Sequence, residues 1–98
     1  MKDGIINLGT SEAEQLGFTP DKFFGYLWKT GDVIMISFIE SKHEGKGNLR
    51  GLFDQIEASG FQVAVPTPSN RMRTICERRG MVPHWEEGYE VMRKEVKP

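Results

Sequence analysis

Residues 36–66 read ISFIESKHEGKGNLRGLFDQIEASGFQVAVP, and the succession of textures within them decides the fold. An apolar run ends at Glu40, and the glycine-rich segment His43-Glu44-Gly45-Lys46-Gly47-Asn48 follows, too flexible to pack. Leu49, Leu52, Phe53 and Ile56 then recur at i, i+3, i+4 and i+7, which places four apolar side chains on one face of a helix. The helix closes at Ser59-Gly60, with Gly60 suited to the left-handed C′ position, and residues 61–65 make a short strand stopped by Pro66. Strand, helix, strand in that order implies a right-handed parallel crossover. Two glycines at the head of the helix imply that something approaches the backbone there.

Upstream, residues 23–28 (FFGYLW) and 32–39 (DVIMISFI) are β-rich runs separated by Lys29-Thr30-Gly31, and we read an antiparallel hairpin. Phe24, Tyr26 and Trp28 are assigned to packing within it. The second run is apolar on both faces over most of its length, the pattern of a central strand covered by helices. Downstream, Thr67-Pro68-Ser69 supplies a cap hydroxyl and an N1 proline for a second helix, with Met72, Ile75 and Cys76 as its buried stripe and Gly80 as its end. Two strands close the chain, residues 81–84 and 89–96, the last alternating in and out, with residues 85–88 as the turn. Residues 1–22 are poorly patterned: residues 5–8 offer a short strand, and Thr10-Ser11-Glu12-Ala13-Glu14 a hydroxyl cap with first-turn carboxylates for a brief helix ending at Gly17. The expected fold is α+β, a mixed sheet in the order β-β-α-β-α-β-β, with residues 1–98 as one domain.

Composition bounds the function. A chain of 98 residues suits a single domain, and 38% apolar with 28% charged residues is ordinary for a globular one. A formal charge of −1 exerts no overall pull toward nucleic acid or anionic lipid, so any anion site must be local. Cys76 is the only cysteine, which excludes an intrachain disulfide and favours a reducing compartment; with only His43 and His84 beside it, no metal site is expected. The longest apolar run, residues 33–39, is far too short to cross a bilayer, and residues 5–8 are no signal-peptide core; the expected location is cytoplasmic, with no membrane partner.

The glycine segment has a chemistry of its own. Unpaired N–H groups at the first turn of the helix, with the positive end of its dipole, attract an anion, and a diphosphate is the natural guest. The segment is not a P-loop, because its lysine lies between the glycines and no Gly-Lys-Ser/Thr follows; it is not a dinucleotide fingerprint either, having a single G-x-G pair.

At Glu44-Gly45-Lys46-Gly47-Asn48-Leu49 the chain resembles the GNAT superfamily of acyl-CoA N-acyltransferases, whose signature, Gln/Arg-x-x-Gly-x-Gly/Ala, follows an apolar strand and opens a helix. Gly47 matches the middle glycine, while Glu44 stands where Gln or Arg is usual and Leu49 where a small residue is usual. The next helix adds Asn70-Arg71-Met72 at its start and Arg79-Gly80-Met81 at its end, similar to the family's Asn and its basic-Gly-Phe. The resemblance spans residues 24–96 and lacks the family's N-terminal pair of helices. Such shortened members look like those of bacteriophage genomes, which implies a bacterial or phage-infected host cytoplasm.

What the resemblance implies is specific. The strand before the glycine segment splays from its parallel neighbour, and the pantetheine arm of acetyl-CoA, the co-substrate, lies in the gap along Phe38, Ile39 and Glu40. The diphosphate sits on the amides of Gly45, Lys46, Gly47, Asn48 and Leu49, and Asn70 joins the cofactor site. An unidentified amine attacks the thioester directly, with Glu40 as base and Cys76 or Tyr89 as proton donor to the thiolate. The alternative is a protein that keeps the fold but works by binding a host protein or nucleic acid, for which Arg71, Arg73, Arg78 and Arg79 offer a basic helix; the plainer reading of those arginines is a solvated face. Modification of a nucleobase amine is a third reading. A monomer and a homodimer both fit.

Overall fold

The structure is a computed structural model that describes residues 1–43 and 45–94. Glu44, and Glu95 and Val96 at the end of the expected last strand, lie outside the described residues. The elements are β1 (Gly4–Asn7), α1 (Ser11–Gln15), β2 (Phe23–Thr30), β3 (Val33–Ser41), α2 (Asn48–Ala58), β4 (Gln62–Pro66), α3 (Asn70–Arg78), β5 (Met81–Glu86) and β6 (Tyr89–Lys94). Among the described residues the fold is α+β, three helices with one mixed sheet of six strands in the order β1-β2-β3-β4-β6-β5. Only β3 and β4 run parallel; every other neighbouring pair is antiparallel.

Local chemistry explains most boundaries. Thr30 pairs with Val33, so the β2–β3 turn is Gly31-Asp32, one step later than the expected reversal, with Gly31 at φ 61° as a two-residue hairpin requires at its first position. Glu86 pairs with Tyr89, which narrows the expected turn of residues 85–88 to Glu87-Gly88, both at positive φ (52° and 88°). Ser69 caps α3, its hydroxyl accepting from the Met72 N–H at 3.3 Å, and Thr10 caps α1 by accepting from the Ala13 N–H at 3.2 Å.

Two elements, β1 and α1, precede the expected order. β1 adds an edge strand beside β2, and Lys29, almost fully buried, is tied to it by an ion pair with Asp3 at 2.8 Å. Ala13, Leu16 and Phe18 then close one end of the core, with Phe18 against Phe23 at a ring separation of 5.5 Å. The core joins the inward side chains of the sheet, Phe23, Leu27, Ile34, Ile36, Val63, Val65 and Met92, to Leu52, Phe53 and Ile56 of α2 and Cys76 of α3. Burying such side chains stabilises the fold by about 1.5–3 kcal/mol each. The side chains of the last strand alternate between the faces, but Val91 and Met92, on opposite faces, are both buried.

The opposite face of the sheet is the unexpected one. Register places Ile5, Phe24, Tyr26, Trp28, Met35, Phe38 and Tyr89 on it, and Ile5, Phe24, Trp28, Phe38 and Tyr89 are all exposed. The aromatic residues assigned to hairpin packing therefore face outward, because all three helices contribute their buried side chains to the other side.

Candidate functional site

The strand pair β3 and β4 is joined for only three residue pairs, Val33 with Gln62, Ile34 with Val63 and Met35 with Ala64. Two features end it. On β3, Tyr26 pairs with Phe38 and Trp28 with Met35, so Ile36 and Ser37 together oppose the single residue Leu27; this bulge bends the strand and reverses its facing, so that Phe38 points outward and Ile39 packs against the core. On β4, Pro66 has no N–H to give, and Thr67 turns the chain at φ 41°, a rare value for a β-branched residue, held by its N–H to the Glu90 carbonyl at 2.8 Å. The strands part beyond Met35, and β4 continues against β6 alone.

The gap is a cleft of about 350 Å³, with Phe24, Gly25 and residues 36–40 on one wall and Val65 to Ser69 with Met72 on the other. Its β3 wall is a strand edge with no ladder partner on that side among the described residues, a row of backbone donors and acceptors open to an extended amide-bearing chain. Ile39, Glu40, Ser69 and Met72 carry the cleft into a larger basin of about 670 Å³ between the head of α2 and α3. Gly45, Gly47, Asn48 and Leu49 line it, with His43 and the cations Arg50, Arg71, Arg78 and Arg79. Glu40 is the one carboxylate lining cleft or basin among the described residues.

The head of α2 differs in kind from those of α1 and α3. Its N-cap is Gly47 at φ 77°, no side chain caps it, and no acidic residue occupies its first turn. Its first-turn donors and the positive end of its dipole therefore open into a basin walled by arginines, where a polyanion would be held. Arg79 is partly committed elsewhere: it pairs with Asp54 at 2.8 Å and with Glu57, and stacks 5.1 Å from the Phe53 ring centre. The glycines answer a conformational demand, since a β-carbon at Gly45 or Gly47 would meet nothing within 4 Å, but both positions hold positive φ.

On the outward face a third hollow, of about 510 Å³, is lined by Tyr26, Trp28, Met35 and Tyr89. It shares Ser37, Pro66 and Thr67 with the cleft, so the two hollows adjoin where β3 parts from β4.

No family model, curated protein or solved structure matches this chain. Phe38, Ile39 and Glu40 all line the cleft, and Gly45, Gly47, Asn48 and Leu49 the basin. Lys46 does not line the basin, and its N–H points back to the His43 carbonyl at 3.4 Å, so its amide is turned from the expected anion position. Asn70 lines neither cavity; it opens α3, and its carbonyl accepts from the Thr74 hydroxyl at 3.1 Å. Cys76 is fully buried in the core and lines no cavity, and burial pushes its thiol up to about 11, so it is not positioned to exchange a proton in the cleft. Tyr89 lines the outward hollow and not the cleft.

Of the four arginines assigned to a solvated face, Arg73 pairs with Glu90 and Arg79 with Asp54 and Glu57, fastening α3 to the sheet and to α2. Arg71 and Arg78 line the basin. Ser37 carries no sequence signature, and Thr67 and Ser69 are legible only as the start of α3. The Pro-Thr-Pro run at residues 66–68 is the one hint, since a residue between two prolines has few conformations open to it. No helix among the described residues is long and apolar enough to cross a membrane.

Proposed function

We propose that this chain is a small GNAT-like N-acyltransferase that takes an acetyl group from acetyl-CoA and passes it to an amine. The observation that carries the reading is the parting of β3 from β4 after Met35 and Ala64, which leaves an unpaired strand edge leading to the uncapped head of α2. An acyl-CoA has the matching parts in the matching order: a thioester, an amide-bearing arm that adds to a strand edge, and a diphosphate. The arm lies along residues 38–40, and the diphosphate faces the amides at Gly47, Asn48 and Leu49, with Arg50 and Arg78 beside it.

In this reading the amine nitrogen bonds to the thioester carbonyl carbon and the carbon–sulfur bond breaks. The proton released by the nitrogen passes to Glu40 directly or through water, and the departing thiolate takes one from the Tyr89 hydroxyl or from solvent. Strand amides beside the bulge stabilise the oxyanion. A second reading, a binding protein without catalysis, is favoured by the exposed aromatic face.

Thermal denaturation with acetyl-CoA separates the two. At roughly a hundredfold excess over its Kd the ligand adds about 2.7 kcal/mol. For a chain of this length that raises Tm by about 10 °C or more. A Tm unmoved by saturating acetyl-CoA and CoA overturns the transferase reading and leaves the binding one.

A further inference from the structure

The hollow on the outward face has a composition that selects its guest. Tyr26 and Trp28 of β2 and Tyr89 of β6 line it with Met35, and its remaining lining is Ser37, Pro66 and Thr67; no charged side chain is among them. It is a shallow, open depression that would cover one face of a flat ligand. Trp28 remains 43% exposed there, so apolar surface is still available for a ligand to cover.

We infer that this hollow receives the amine acceptor, and that the acceptor is an arylalkylamine: one ammonium group on a flat aromatic body. The inference rests on the acyltransferase reading for its chemistry and on the outward hollow for its specificity. Aromatic rings attract a cation over their faces and stack with a flat ring, so both parts of such a ligand are served by the same three side chains. A polyamine or an aminoglycoside carries several ammonium groups and needs carboxylates to meet them, and this lining supplies none. An acidic acceptor finds no cation there. The hollow borders the cleft at Ser37, Pro66 and Thr67, so an amine held on the outward face lies next to the cleft.

Trp28 is an internal reporter. The chain has two tryptophans, and the other, Trp85, is 76% exposed and lines none of the three cavities described above, so Trp85→Phe leaves Trp28 as the single indole, excited selectively at wavelengths beyond tyrosine absorption. Titration of that variant with phenethylamine, with CoA present and absent, is expected to change Trp28 emission saturably, while spermidine and benzoate leave it unchanged. Adding Tyr89→Ala is expected to weaken the response about three- to tenfold, the worth of one aromatic partner, and Tyr89→Phe to keep it. An emission that ignores phenethylamine under both conditions, responds equally to spermidine, or changes only with protein concentration overturns the inference; the last outcome would make the face a contact between copies. Amine binding without any acetyl-CoA shift in Tm would keep the amine site and sink the transferase reading. An acetyl-CoA shift without amine binding would do the reverse.

Discussion

Gly25 on β2 has no room for a side chain, because a β-carbon there would overlap the carbonyl oxygen of Phe38 and lie 2.9 Å from the Ile39 Cα. Gly25 also holds φ at 104° and lines the cleft opposite β4. Gly25→Ala therefore has to push β3 away just past its bulge. Both the clash and the backbone strain oppose it, at about 1–3 kcal/mol for the strain alone. We expect Tm to fall by roughly 10 °C or more, measured by circular dichroism. A variant as stable as wild type would mean that β2 and β3 are not this close.

Thr67 tests the opposite sign. Its φ of 41° costs a β-branched residue about 1–3 kcal/mol, and asparagine tolerates that region far better. Thr67→Asn is expected to raise Tm by a few degrees and, by changing the junction between cleft and outward hollow, to lower turnover. A fall in Tm would show that the threonine is not strained.

Glu40→Gln separates binding from chemistry. The amide keeps the size and loses the base, so acetyl-CoA should bind as before while turnover on a responsive amine drops about a hundredfold. Equal turnover would remove Glu40 from the mechanism and leave the cofactor cleft standing.

Cys76 gives an alkaline signature. Its ordinary value of 9.0 is raised to about 11 in the fold by burial, so the stability tied to the neutral thiol is complete below pH 9 and is lost as pH rises from there through about 11. Thermal melts across this interval should fall more steeply for wild type than for Cys76→Ala. The same burial predicts that a disulfide reagent at pH 8 labels the thiol only after denaturant is added; immediate labelling of the native protein would contradict the core placement.

Glu57 gives the acid counterpart. Burial works against its charge, yet hydrogen bonds from Lys94 and Arg79 prevail and hold the carboxyl below its ordinary 4.5. The contribution is complete above about pH 4.5 and disappears as pH falls through the lower folded value, so melts between pH 5 and pH 3 should be flatter for Glu57→Gln. A parallel decline in both proteins would discount the network.

Periodicity made some of this structure legible and left the rest hidden. The i, i+3, i+4, i+7 stripe from Leu49 to Ile56 marked α2 because a helix on a sheet must bury one face; Thr67-Pro68-Ser69 and Gly80 marked the ends of α3, although the cap is Ser69 and Pro68 precedes it instead of standing at N1. The glycine segment pointed to the head of α2, and residues 38–40, which line the cleft, were named only through the family resemblance. The bulge at Ile36 and Ser37 left no mark, because a run apolar on both faces looks the same whether or not its facing reverses. Nor could Phe24, Tyr26 and Trp28 be assigned to an open face, since alternation records that a strand has two sides without saying which one the helices cover. β1 and α1 are too short for their patterns to rise above chance.

Three rungs between β3 and β4 have a mechanical meaning. The sheet is two leaves of three strands, β1-β2-β3 and β4-β6-β5, bound along a short spine from Val33 to Met35, with α2 as the strap across it. Each leaf holds its own hydrogen bonds, so a small rotation about the spine would widen or pinch the gap without breaking any of them.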